Sequence, residues 1–464
     1  MTATENTEVT ENGLKPGLRH RQVSMIAVGG VIGTGLFIGS GTGIHDTGPG
    51  IVLSYVLAGL LVVAVSRMLG EMAAASPDTG SFSSYADRAI GRWAGFGIGW
   101  LYWWAWVVTL AIEATAGALV VHHWLPNVPQ WTFALLFMLV FTTVNIVSVA
   151  NFGAFEYWFS MVKVTAILLF IGLGLLAILG LLPTTASPGL SNLTGPGGVF
   201  PHGPTAVITV IPAVVFAYGG TEIATIAAAE AHSPHRAVGR AIAQTVWRVV
   251  IFFVGSMAVV VVLLPWNSSG LRDSPYVAAL DRIGVPGASR IMDVVVLVAV
   301  LSCLNSGIYT TSRMAYSLAE RGDGPAILAR TSHRGVPIAA VLVSVAFGFV
   351  AVFLNYLSPE TVFIFLLNSG GSIQLFVWLV TAISQLRLRP HLEATHPGGL
   401  PVRMWGYPYL TWITITTMTA ILVAMALAPD SRPKVVGSLA LGVVIVIVAL
   451  LRRPPGSAAS EEVL

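Results

Sequence analysis

Gly-Gly-Val-Ile-Gly-Thr-Gly, residues 29–35, decides how this chain is read, because the run sits inside an otherwise apolar stretch. A second set, Phe-Ala-Tyr-Gly-Gly-Thr-Glu at 216–222, falls in the middle of another apolar stretch five such stretches later. Paired glycine interruptions at corresponding positions are the mark of an inverted repeat built on broken membrane helices. An odd number of spans per unit forces the two units into opposite orientations. The alternative is that both sets only let helices pack closely. Their matching positions favour interruption.

Working outward, apolar runs long enough to span a bilayer, which needs about 20 residues, recur from end to end. They lie at roughly 24–44, 50–72, 93–121, 131–150, 157–182, 205–230, 242–264, 288–318, 337–355, 360–386, 407–428 and 435–451. Of the 464 residues, 55% are hydrophobic and 10% charged, against roughly 25% charged in soluble domains. The expected class is an all-α polytopic membrane protein of about twelve spans. The first repeat would occupy 24–182 (spans 1–5), the second 205–386 (spans 6–10), and spans 11–12 residues 407–451. Polar tails, 1–23 and 452–464, would flank them, with no cleavable signal peptide at the start. Of the 24 Lys and Arg, 18 fall on the side of the termini and five on the other, with Lys163 inside a span. The positive-inside rule then places both termini in the cytoplasm. Cys303, the single cysteine, reads as a buried packing residue.

A helix that breaks inside a bilayer exposes N–H and C=O groups that must face protein, water or ligand. The restarted half-helix presents amides and a positive dipole end, which suit a carboxylate. The carbonyls that end the preceding half suit an ammonium. One broken pair therefore recognises both poles of a zwitterion without a committed side-chain charge. The carboxylate is assigned to Gly33, Thr34 and Gly35 with Gly30 alongside, and the amine to carbonyls near Val28, Phe216 and Ala217, with Gly219 adjoining. The glycines do not form a nucleotide-binding loop, which needs a strand before it and a soluble helix after it.

Ionisable residues inside spans cost on the order of 3 kcal/mol at the bilayer centre, and three stand out. Lys163 in span 5 is either a snorkelling amine or a buried proton-exchanging one. Glu222 either braces the second break or binds a proton. Glu113 shares a helical face with Tyr102, Trp106 and Thr109. It either pairs with another buried polar group or meets the substrate amine or the proton. Span 8 adds Ser302, Asn305, Tyr309 and Tyr316, with Arg313 beyond, as interhelical bonds or pocket lining. Glu230, Arg67 and Glu71 read as cytoplasmic gate or loop contacts. No metal cluster and no nucleophile–base pair has useful spacing, and His45, His122, His123, His232 and His235 lie at loops. No enzyme, cofactor or nucleic-acid partner is expected.

Residues 29–41, 77–87, 99–104, 220–230 and 302–314 together resemble the amino acid–polyamine–organocation superfamily and, within it, the bacterial amino acid permeases, over roughly residues 14–452. Arg-Met-Leu-Gly-Glu-Met (67–72), Ser-Gln-Leu-Arg-Leu-Arg (384–389) and Met-Trp-Gly-Tyr-Pro-Tyr-Leu-Thr-Trp (404–412) are most similar to the 4-aminobutyrate (GABA) permeases. The resemblance implies the LeuT-type fold, ten core helices in two inverted five-helix repeats plus two. It implies substrate between spans 1 and 6, Phe216 as an aromatic gate, Glu222 as the acidic proton-sensing position, and Lys163 in place of a sodium ion. Tyr218-Gly219 departs from the usual residues there. The implied activity is proton-coupled import of an amino acid, GABA first, by alternating access. The alternatives are another amino acid (aromatic, basic or small neutral), an exchanger, or a sensor on a transporter scaffold. The expected partners are the amino acid, a proton and lipid, and the expected functional unit is a monomer in the inner membrane.

Overall fold

Lipid offers the backbone no hydrogen bonds, so a chain this apolar satisfies its peptide groups within helices. The computed structural model describes residues 25, 32–78, 80–147, 149–182, 187–195, 197–223, 234–272, 274–357, 359–429 and 432–451, and among these residues there is no strand. Seven helical stretches are long and apolar enough to cross a membrane, and three shorter apolar helices accompany them.

A π-helical turn, Gly35–Gly39, runs into α1, Ser40–Thr47. Gly-Pro-Gly at 48–50 then leads into α2, Ile51–Ala75. The first half continues through α3, Phe82–Ala89, α4, Arg92–Trp124, α5, Gln130–Val147, and α6, Val149–Ile178. The second half opens with Ala206–Thr209 and α7, Ile211–Tyr218. Then come α8, Pro234–Arg248, a π turn, Val249–Gly255, and α9, Ser256–Leu263. After α10, Pro275–Ile283, follow α11, Ala288–Glu320, α12, Ile338–Leu357, and α13, Pro359–Thr395. Helices α14, Tyr409–Leu427, and α15, Arg432–Leu451, close the described chain.

Every expected span except the first and sixth meets a helix over most of its length. Two helices, α3 and α10, occupy stretches expected as connections. Span 5 starts eight residues earlier than expected, so Lys163 lies about four turns into α6 rather than two.

The two 33-residue helices α4 and α11 pack along each other as the central pair. Helices α3, α5, α12, α13 and α15 close round α4, and α6 lies along α11. The short α7 packs between α2, α13 and the Gly35–Gly39 turn. Leucines and valines on the outer faces of α5, α6, α12, α14 and α15 stay exposed. A water-soluble protein buries such surface, whereas here it is the lipid-facing coat.

A cleft at two helix breaks

Residues 26–31 lie outside the described set, and with them Val28 and Gly30. Ile32 is non-helical, and the helix restarts at Gly33, whose carbonyl accepts the N–H groups of Leu36 and Phe37 at 3.2 and 3.3 Å. The second break follows α7. Gly219 takes an extended ψ of 147°, and Gly220 has φ +88°, a left-handed conformation that glycine adopts without penalty. The helix resumes when the Ile223 amide returns to the Gly220 carbonyl at 3.0 Å. Residues 224–233, Glu230 included, are outside the described set.

The two breaks touch. A Cβ placed on Gly35 would sit 2.6 Å from the Ala217 Cα, so only hydrogen allows this approach. On Gly33 it would lie 2.9 Å from both a Glu113 oxygen and the Cys303 Cβ. Between the breaks runs a narrow cleft of ≈ 40 Å³. Gly33, Gly35, Glu113, Phe216, Ala217 and Gly219 line it, as does a wall of Ala105, Trp106, Thr109, Cys303 and Gln374. Thr34 is buried behind this wall. Asn305 is not among the lining residues and accepts a hydrogen bond from Asn145 Nδ2 at 2.9 Å. Glu222 also stands apart from the lining, where it accepts the Gly220 amide and the Thr221 hydroxyl, each at 3.2 Å. That acceptor fastens the left-handed turn.

Glu113 does two things at once. Its carboxylate faces the cleft, and it accepts the Thr34 hydroxyl at 2.5 Å and the Thr34 amide at 3.3 Å. An acidic side chain is therefore seated on the restarted half-helix, bonded to both the hydroxyl and the amide of Thr34.

The family described as "Amino acid permease" matches residues 22–453. The chain belongs to the amino acid permease family. It is 50% identical to the gamma-aminobutyric acid permease of Bacillus subtilis, over 96% of this chain and 95% of that one. It is 46% identical to the gamma-aminobutyric acid permease of Escherichia coli, over 94% of each. It is 40% identical to the aromatic amino acid transport protein AroP of Corynebacterium glutamicum, over 92% of each. A solved manganese transporter from Eremococcus coleocola superposes with a TM-score of 0.56 at 15% identity, covering 93% of this chain and 92% of that one. The fold is of the LeuT type with interrupted helices 1 and 6, and the protein is a multi-pass transporter rather than an enzyme.

Close to the permease's cleft lies a buried cluster of ionisable side chains. The Lys163 amine is fully buried and donates to the Ser302 hydroxyl at 2.8 Å and to the Ile32 carbonyl at 3.3 Å. It stands 3.7 Å from Oε1 of Glu156, which is also fully buried. An ammonium thus occupies the unwound carbonyl just before the first restart. At one end of α2, Glu71 is buried rather than surface-exposed. It accepts from Gln385 Nε2 at 2.7 Å, from the Met404 amide at 2.5 Å and from the Arg389 guanidinium.

Sequence reasoning missed Glu156, Gln374 and the cleft-lining position of Cys303. Glu156 had a signal, an acid in an apolar helix seven residues before Lys163. Gln374 had one too, as an amide within the apolar run 373–380. Cys303 carried none.

Proposed function

We propose that this permease imports 4-aminobutyrate together with a proton by alternating access. The observation that carries the reading is that both helix breaks border one cleft, with a fully buried lysine bonded to the backbone of the first. The substrate carboxylate docks at the amides of Gly33 and Gly35. The amine meets the carbonyl end of α7 at Phe216 and Ala217, and the Phe216 ring gates the cleft. Relatives named for gamma-aminobutyric acid transport, at 46–50% identity over nearly the whole chain, support the choice of substrate.

Lys163 supplies the positive charge that the unwound carbonyl of Ile32 calls for, so no metal ion is needed at that spot. Its loss and gain of a proton would loosen and restore this tie between α6 and the first break. Glu222 is the second candidate proton site, held to the turn after α7. The two repeats, 24–182 and 205–386, would rock against each other about the cleft, as a monomer in the cell membrane with both termini cytoplasmic.

Uptake of labelled GABA and of a panel of other amino acids into proteoliposomes, with and without an inward proton gradient, tests this. Concentrative GABA uptake only with the gradient supports the reading. Uptake only in exchange for an internal amino acid, indifferent to the gradient, makes the protein an exchanger.

A further inference from the structure

Glu156 is a fully buried carboxyl group, on α6 close to Lys163, that does not line the cleft. Its Oε1 accepts the Ser302 hydroxyl at 2.5 Å and faces the Ser160 hydroxyl at 3.3 Å. Its Oε2 is buried with no hydrogen-bond partner among the described residues. Ser302 also receives the Lys163 amine, so one hydroxyl joins the ammonium to the carboxylate in a continuous chain. A carboxylate kept only as a fixed counter-ion would have both oxygens satisfied, since buried polar groups nearly always are. Here, among the described residues, only Oε1 is engaged, and it is the oxygen that a hydrogen can reach through Ser302.

We propose that Glu156 is a further proton-carrying group of this permease and exchanges a proton with Lys163 through the Ser302 hydroxyl. The proposal rests on the proton-coupled reading and says where the proton goes next. In the step, a Lys163 N–H bond breaks as a new O–H bond forms at Ser302. The original Ser302 hydrogen passes to Glu156 Oε1. An ammonium and a carboxylate become an amine and a carboxylic acid, the total charge is unchanged, and no co-reactant is required. Rotation of the Ser302 hydroxyl resets the relay.

The surroundings give the relay a direction. Glu156 lies two helical turns from Lys163 toward the Val149 end of α6. One turn further on, Phe152 stacks face to face on Tyr309, with centroids 4.1 Å apart and planes 3° apart. The Arg313 guanidinium caps that pair, 4.2 Å above the Tyr309 ring. Along α6, Glu156 is therefore the first acid past this plug. The groups that face the relay are few. Ser160 and Lys163 come from α6 itself, Ser302 and Cys303 from α11, and Glu113 from α4 across Lys163. One ammonium among two carboxylates leaves one negative charge, and a single added proton makes the buried cluster neutral. Neutrality matters for a cluster that must move through a low-dielectric interior.

The test compares Glu156→Gln, which keeps the shape but cannot take a proton, with wild type and Glu156→Asp. Reconstituted protein is assayed for gradient-driven accumulation of labelled GABA and for counterflow without a gradient. A one-unit pH gradient can sustain about tenfold accumulation. Wild type should approach that, E156Q should fall to equilibration while still supporting counterflow, and E156D should regain accumulation with a shifted pH profile. E156Q accumulating as wild type does, or losing counterflow along with accumulation, overturns the proposal. If E156Q does not reach the membrane folded, an E156D pH profile superimposable on wild type overturns it instead. Wild type that ignores the gradient is a distinct result: it defeats the proton-coupled reading, and the relay with it.

Discussion

The Glu113 carboxyl group sits on Thr34, accepting its hydroxyl at 2.5 Å and its amide at 3.3 Å, so the restarted end of the first broken helix already holds an acidic side chain. A substrate carboxylate that docks at Gly33 and Gly35 shares this end with Glu113, and the nearby Lys163 ammonium balances part of the charge. Thr34→Val keeps the shape and removes the hydroxyl. A hydrogen bond to a charged group contributes about 1.5–3 kcal/mol, so KM for uptake should rise roughly tenfold or more. Initial-rate kinetics in proteoliposomes check this.

Contact between the two breaks depends on Gly35. With the Ala217 Cα only 2.6 Å from an added Cβ, Gly35→Ala must push the half-helices apart. Overpacking of this kind costs about 1–3 kcal/mol. Uptake should drop at least about tenfold while the variant still inserts and elutes as a folded species. Gly172→Ala, where an added Cβ meets nothing within 4 Å, is the control and should transport normally.

Lys163→Ala removes the ammonium from the Ile32 carbonyl and leaves Glu156 without its counter-ion. Breaking a buried pair costs about 3–5 kcal/mol, so thermal stability in detergent should fall as well. Under the proposed proton coupling the sign of the transport effect is fixed: wild-type accumulation should rise as external pH is lowered against a fixed internal pH, and K163A should show no such rise. Uptake measured across a series of imposed gradients checks it, and full retention of pH-driven uptake would refute the role of Lys163.

Gln374 lines the cleft with its amide nitrogen unpartnered among the described residues. Under the proposed substrate site, that nitrogen is free to donate to the substrate. Gln374→Leu, of similar volume, should raise KM by about fivefold to tenfold and leave protein stability within about 1 kcal/mol, since no internal bond of that nitrogen is lost. Paired kinetics and melting curves check both halves.

Away from the cleft, Glu71, Arg389, Gln385 and the Met404 amide form a clasp joining α2, α13 and the segment before α14. The Arg67 side chain adds to it, bonding the Arg403 carbonyl at 2.7 Å and lying 4.1 Å over the Trp405 ring. Glu71→Ala strands the Arg389 charge and should destabilise the fold by about 3–5 kcal/mol. Glu71→Gln should cost less, because the acceptor oxygen remains. Thermal unfolding of the detergent-solubilised protein ranks the two.

The spans were legible because lipid imposes one rule on the backbone and an apolar run of fixed length obeys it. Both interruptions were legible from their glycines, and Gly220 and Gly35 show why, one through its φ and one through a contact no Cβ permits. Helices α3 and α10 were not, since short amphipathic pieces at a membrane surface carry no length signal. The relay around Lys163 was half legible. A lysine in an apolar run announces itself, but Ser302 lies 146 residues beyond Glu156, and no local pattern pairs them. Glu71 read as a gate or loop contact near a membrane surface; its bond to the Met404 amide is such a contact, while its burial against Gln385 and Arg389 of α13, more than 300 residues away, had no local signal.

An experimental structure of the permease with 4-aminobutyrate bound is the most direct test of the central claim. The account predicts one ligand between the breaks, its carboxylate within hydrogen-bond reach of the Gly33 and Gly35 amides and its amine at the Phe216 and Ala217 carbonyls. A ligand bound elsewhere, with the space between Gly35 and Ala217 closed and residues 216–222 in unbroken helix, would contradict it.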